Sequence, residues 1–459
     1  MDVMDTVIRN GKLVTPNGIF AADIGISGER IALLGQNVRG DTEIDAAGCY
    51  VLPGAIDPHV HLQMPAGKYT STDDFNSGTV AAACGGTTTV IDFAEPSQGE
   101  TFLSSLAVRR AEAANSAVVD YSLHMTIPTW HAAHPESLSE LPQVVEAGVS
   151  SFKLYMAYPG FYLDDVKLYT ALQAIASVDG LPIVHAENGP LCDLLRANAV
   201  AAGQTEPFYH ALTRPPQQEA EAVSRLIDIA ALAETRLYVV HVSCAEALTR
   251  IASARMQSGE VYAETCPQYL TLTAAALKEP HGERFICSPP LRNHADQSAL
   301  WVALAGGIID TLATDHCPFT VAEKSGHASF TTIPGGLPSI EARLSLAYTR
   351  GVRAGHISPE RWVEICCAAP ARLFGLSRKG RIAPGYDADL VVFDPHQEFT
   401  LNTNNLHTTL VEPHLDLVGD KLVFPAVHIH IHGLKPYGRP GACLGPRSVS
   451  GKQQPNEQT

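Results

Sequence analysis

From residue 55 onward the chain repeats one texture, in which a short apolar run is followed by a segment with a helical pattern and then by another short run. The runs are AIDPHVHL, TTTVIDFA, VVDYSLHMTI, SSFKLYMAY, LPIVHAEN, RLYVVHVSC, EVYAETCPQ and IIDTLATDHC. Between most of them lie segments such as TFLSSLAVRRAEAANS, DDVKLYTALQAIASVDG and QEAEAVSRLIDIAALAET. A strand that is apolar on both faces has to be covered on both faces, and alternation with helices supplies the cover. This pattern predicts an α/β protein built on a parallel sheet, and eight such strands predict a (β/α)8 TIM-like barrel.

The flanks differ. Residues 1–54 carry short, alternating, β-branched runs, with Asn10-Gly11 and Asn17-Gly18 as hairpin-type turn dipeptides. The texture returns near residue 380 in KGRIAPGYDADLVVFDP. Residues 1–54 and 378–435 are therefore expected to form one small discontinuous β-sandwich beside a barrel of residues 55–377. Residues 436–459 form a polar tail expected to be partly disordered. A chain of 459 residues is long enough for one large unit and one smaller one.

Lys and Arg total 32 against 48 Asp and Glu, and the net charge of −16 is spread along the chain. That balance disfavours nucleic acid and anionic membranes as partners. No stretch reaches the ~18–20 apolar residues a membrane helix needs. MDVMDTVIRNGKLV lacks the apolar segment of a secretory signal. The ten cysteines show no framework spacing, so reduced thiols and a cytoplasmic location are expected.

Nineteen histidines is a high count for this length, and their positions are informative. His59 and His61 end the first predicted strand, and Lys153 lies on SSFKLYMAY. His185 ends LPIVHAEN, His241 ends RLYVVHVSC, and Asp315 ends IIDTLATD. Catalytic groups of such barrels gather at the C-terminal ends of the strands, so these six side chains are predicted to converge on one rim. A single strand-end histidine is more often a hydrogen-bonded core residue than a ligand. His59 and His61, however, stand two apart on one strand face, where both imidazoles can reach one metal. Lys153 between Phe152 and Leu154 is also unusual, because lysine is rarely buried without a partner. Five strands ending this way exceed coincidence. By contrast, His428, His430 and His432 have strand spacing but are expected to face solvent rather than bind metal.

GAIDPHVHL (54–62), SFKLYMAY (151–158), VHAEN (184–188), VVHVSC (239–244), SPPLR (288–292) and ATDHCPF (313–319) together resemble the cyclic amidase branch of the amidohydrolase superfamily. The resemblance is closest to the hydantoinase/dihydropyrimidinase group and runs from about residue 3 to about residue 400. It implies a hydrolase that opens hydantoins or dihydropyrimidines to N-carbamoyl amino acids. It implies two divalent metal ions, most naturally Zn2+, with Mn2+ or Co2+ able to substitute. In such a site Lys153 is carbamylated by CO2 and bridges the metals. His59, His61 and Asp315 then hold the more buried ion, and His185 and His241 the more exposed one. A metal-bridging hydroxide is the nucleophile, with Asp315 as proton shuttle and Tyr158 as donor to the oxyanion.

By the same resemblance Ser288 meets the ring imide through its backbone. Gly335, in TIPGGLPSIE, stands where the family has a loop asparagine that makes a second backbone contact. Met64, Tyr155, Phe161 and Tyr162 lie in loops expected to form the pocket for the ring substituent. A small cyclic ureide is the expected partner, and a homo-oligomer, tetramer or dimer, is the expected assembly. Gln63 replaces the arginine that a dihydroorotase needs after its His-x-His pair. Allantoinase, another cyclic amidase, or a catalytically silent scaffold relative are the alternatives. All six ligand positions being intact disfavours the scaffold.

Overall fold

The computed structural model describes residues 3–257, 259–401, 406–408, 421–423 and 428–430. Its centre is an eight-stranded parallel sheet whose strands follow one another in chain order. They are β1 (Ala55–Asp57), β2 (Thr87–Ala94), β3 (Asp120–Thr126), β4 (Ser151–Tyr155), β5 (Leu181–His185), β6 (Leu237–Val239), β7 (Val261–Thr265) and β8 (Thr311–Leu312). Just beyond the last residues of β1 and β8, Val60 bridges His316 in parallel, and His61 N donates to His316 O at 2.8 Å. That bridge closes the sheet into a barrel.

Strands β2, β4 and β5 are buried at every position, polar residues included, as strands covered on both faces are. Ile91 and Phe93 of β2, Leu181 and Ile183 of β5, and Tyr238 of β6 meet around Phe374 in one cluster. Side chains from non-adjacent strands can meet in this way only on the barrel axis. The other face packs on helices, among them Phe102–Ala114, Asp165–Ala176 and Pro216–Leu232, which fall on the three segments with predicted helical patterns. Local chemistry sets where two of these helices begin. Thr101 and Ser104 form a capping box, and Asp164 accepts from Lys167 N at 3.0 Å.

Two further sheets form a sandwich. Met4–Arg9 pairs with Asp23–Ser27 and Gly40–Asp45 in the first. Lys12–Thr15 and Tyr50–Pro53 lie in the second, where Leu390–Phe393 pairs antiparallel with Tyr50–Pro53. Ile8, Ile24 and Ile44 of the first sheet pack on Leu13, Val51 and Leu390 of the second. His428–His430 adds an outer strand beside Leu390–Phe393. His432 and the tail at 436–459 lie outside the described residues.

One predicted turn is corrected. Pro16 and Asn17 do close a hairpin between Lys12–Thr15 and Gly18–Ala21. Asn10-Gly11 does not, because it carries the chain from one sheet across to the other. A Cβ on Gly11 would collide with Val51, so the crossing requires glycine there.

No helix among the described residues is long and apolar enough to cross a membrane. The nine cysteines among the described residues are all free and buried.

Candidate active site

The ladders of β1, β6 and β8 stop earlier than the apolar runs predict, at Asp57, Val239 and Leu312. His59, His61, His241 and Asp315 therefore sit in the first residues past the strands rather than on them. His241 (φ +40°) and Asp315 (φ +52°) adopt the left-handed region, which breaks the extended course and turns both side chains inward. Such a conformation costs on the order of 1–3 kcal/mol per residue and persists where the surroundings enforce it. The enforcement is visible at Asp315. Buried Asp57 accepts from Thr314 N at 3.1 Å and from Thr314 Oγ1 at 2.7 Å, which clamps the chain after β8 onto β1.

The six predicted side chains come together. His59 Nε2 lies 3.2 Å from His61 Nε2, and Asp315 Oδ1 lies 3.2 Å and 3.1 Å from those two nitrogens. Lys153 Nζ approaches His59 Nε2 at 3.5 Å. His185 Nδ1 faces His241 Nε2 at 2.9 Å, and the His59 and His241 rings are 5.6 Å apart.

Buried carboxylates behind the histidines fix which nitrogen is free. Glu264 Oε1 bonds His59 Nδ1 at 2.7 Å and also accepts from His241 N at 3.1 Å, while Tyr238 OH donates to its Oε2 at 2.8 Å. Glu187 bonds His185 Nε2 at 2.9 Å and is itself held by Gln218 at 2.8 Å and by Arg214. The lone pairs of His59 Nε2 and His185 Nδ1 are left pointing at the cluster. His124 bonds Pro58 O at 2.8 Å and Ser151 Oγ at 2.6 Å, supporting the turn that carries His59.

Electrostatics keep the donors available. Burial holds His59 and His241 well below the usual histidine value. Burial also brings Lys153 down to about 8, against a weaker upward pull from Asp315, Glu264 and Glu95. Burial pushes Asp315 up, but the combined pull of His59, His61 and Lys153 outweighs it and brings the carboxyl to about 2. His59 Nε2, His61 Nε2 and Asp315 Oδ1 converge on one point, as donors around a shared cation do. His59, His61 and Asp315 put ligand atoms within 4.8 Å of one another, a set able to hold a metal ion, and the nitrogen and oxygen donors suit Zn2+.

The cluster forms the floor of a cleft of about 390 Å³. Met64, Tyr155, Phe161, Tyr158, Ser288 and Gly335 all line it. Tyr162 does not. Its backbone bridges Tyr155 and its carbonyl accepts from Thr129 Oγ1 at 2.8 Å, so its main chain holds the loop in place. Tyr158 (φ +74°) sets its ring 4.9 Å from that of His185 and hydrogen-bonds Ser288. Burial raises its hydroxyl above the ordinary phenol value, so it stays a donor.

Glu264, Glu187, Arg214 and Glu95 were not anticipated from sequence. Glu264 and Glu187 stand inside the runs EVYAETCPQ and VHAEN, where a carboxylate amid strand residues was the available signal. Glu95 joins the cleft wall beside Tyr155, whose hydroxyl donates to it at 3.4 Å.

Residues 50–423 match the amidohydrolase family. The chain is 45% identical over 413 residues to the D-hydantoinase of Geobacillus stearothermophilus, covering 88% of this chain and 87% of that one. It is 43% identical over 412 residues to the D-phenylhydantoinase of Escherichia coli, covering 88% of each. Among solved structures, the dihydropyrimidinase of Brevibacillus agri superposes with a TM-score of 0.90 at 42% identity, over 93% of this chain and 94% of that one.

Proposed function

The chain belongs to the amidohydrolase family, and from that premise we propose that it is a cyclic amidase of the hydantoinase/dihydropyrimidinase type. It hydrolyses the ring amide of hydantoins or dihydropyrimidines to give N-carbamoyl amino acids. The observation that carries this reading is the convergence of His59, His61, His185, His241, Lys153 and Asp315 at the strand ends, on the floor of one cleft.

His59, His61 and Asp315 would hold one divalent cation, and His185 and His241 a second, with carbamylated Lys153 between them. Bound there, the cations, Zn2+ in the first instance and Mn2+ or Co2+ in its place, would polarise a carbonyl oxygen and acidify water. The residues of the chain do the rest. Lys153, brought to about 8, offers the neutral amine that reacts with CO2. Asp315 is ionised and positioned to take the proton of the attacking water and pass it to the ring nitrogen as the C–N bond breaks. Tyr158 keeps its proton and donates to the oxygen that gains charge. The main chain at Ser288 and Gly335 meets the ring, and Met64, Tyr155 and Phe161 meet its substituent.

Free, buried thiols suit a cytoplasmic enzyme, and a dimer or tetramer is the expected assembly, tested by light scattering. The test of function is a panel of hydantoin, 5-substituted hydantoins of each hand, dihydrouracil, dihydroorotate and allantoin, with metal content measured on the same preparation. Ring opening of a hydantoin or dihydrouracil at about two metal equivalents is expected. Metal far below that, with no ring opened, would refute the assignment.

A further inference from the structure

Lys324 ends the short helix Val321–Lys324, in the loop that follows Asp315, and is 4% exposed. Its ammonium meets three main-chain carbonyls, those of Arg284 at 3.1 Å, Ile286 at 2.9 Å and Gly336 at 2.6 Å. The acceptors come from two segments far apart in sequence. One leads into Ser288 and the other adjoins Gly335, and Ile286, Ser288, Gly335 and Gly336 all line the cleft. Gly336 N also donates to Ile286 O at 3.0 Å, so the two segments touch where the lysine grips them. The helix beneath is fixed by a capping box between Thr320 and Glu323, and a Cβ on Gly336 would collide with the Cys317 carbonyl. Every part of this junction is therefore held in one place.

Burying an ammonium against carbonyls is costly, and an apolar side chain would fill the same volume without that cost. The three donors match the three acceptors, so the group is fully satisfied only while both segments keep their present spacing. We propose that Lys324 is a positioning residue that sets the distance between the two cleft-lining segments, and so the fit of a planar cyclic imide between their backbone groups. It touches no substrate. This inference rests on the ring-opening reading of the cleft.

The test uses the full-length, metal-loaded protein with Lys324→Met and Lys324→Gln, the latter keeping a polar head if the former fails to fold. With the best ring substrate, KM should rise at least about tenfold while kcat and metal content stay within about threefold. Lys324→Arg should recover part of the KM. Amide exchange at Gly336, whose N–H bonds Ile286, should speed up by a similar factor in the Gln variant. It reads the junction without turnover, so a failed substrate assignment cannot hide the answer. An unchanged KM in a folded variant overturns the proposal even if stability falls, and so does unchanged exchange at Gly336.

Discussion

Glu264 takes a 2.7 Å hydrogen bond from His59 Nδ1, with the two side chains 0% and 1% exposed. The contact commits the imidazole to a single tautomer and aims its Nε2 at Asp315. Burial raises Glu264 to about 7 even against the downward pull of Tyr238, Lys153 and the His241 amide. Glu264→Gln should weaken metal binding by about 10–100-fold with the fold intact. Competition against a chelator measures it, and an unchanged affinity would show the pair to be mere packing.

Lys153→Ala should abolish turnover if Lys153, carbamylated as proposed, bridges the metals. Adding a short carboxylic acid should restore part of the activity. Full activity without the acid would refute a bridging role.

Tyr158→Phe removes one hydroxyl and little else. A fall in kcat of about 10²–10³-fold with KM nearly constant is expected if that hydroxyl meets charge that develops only in the transition state. A rise in KM alone would instead assign it to ground-state binding.

The backbone at Gly335 does not need glycine. An added Cβ meets nothing nearer than Ile286 Cγ2 at 3.9 Å. Gly335→Asn should leave KM within about threefold and raise Tm by roughly 1–3 °C through a less free unfolded chain. A large loss of activity would mean that the pocket has adapted to the missing side chain.

His407 binds Glu341 twice, through its backbone N–H at 2.7 Å and Nδ1 at 2.9 Å. Hydrogen bonds to Cys84 and then Glu341 raise the imidazole from 6.5 to about 10. Because the folded value is raised, the stabilisation is complete below about 6.5 and is lost as pH climbs through about 10. His407→Ala should therefore lower Tm by about 2 °C near pH 6, with the gap closing above pH 10. A gap independent of pH would show that the ring acts by packing alone.

The parallel sheet was legible because its apolar runs alternate with helical segments, and the barrel because eight such runs follow one another. The rim was legible because polar side chains recur where such runs stop. Backbone strain was not, since His241 inside VVHVSC reads as continuing strand until its positive φ is seen. Asn10-Gly11 marks a turn, but nothing local says which sheet receives the next strand. Glu264 and Glu187 escaped notice because the Tyr238 and Arg214 that hold them lie 26 and 27 residues away. Lys324 shows the same limit more strongly, for its three carbonyl partners carry no side-chain signature at all.

The antiparallel pairing of Tyr50–Pro53 with Leu390–Phe393 has a consequence for synthesis. About 340 residues, the whole barrel among them, leave the ribosome between these two strands. At ordinary rates of translation that takes tens of seconds, during which the early strand has an unpaired edge. The barrel can close while the sandwich waits, and the nascent chain spends that interval with Tyr50–Pro53 open to the wrong neighbour.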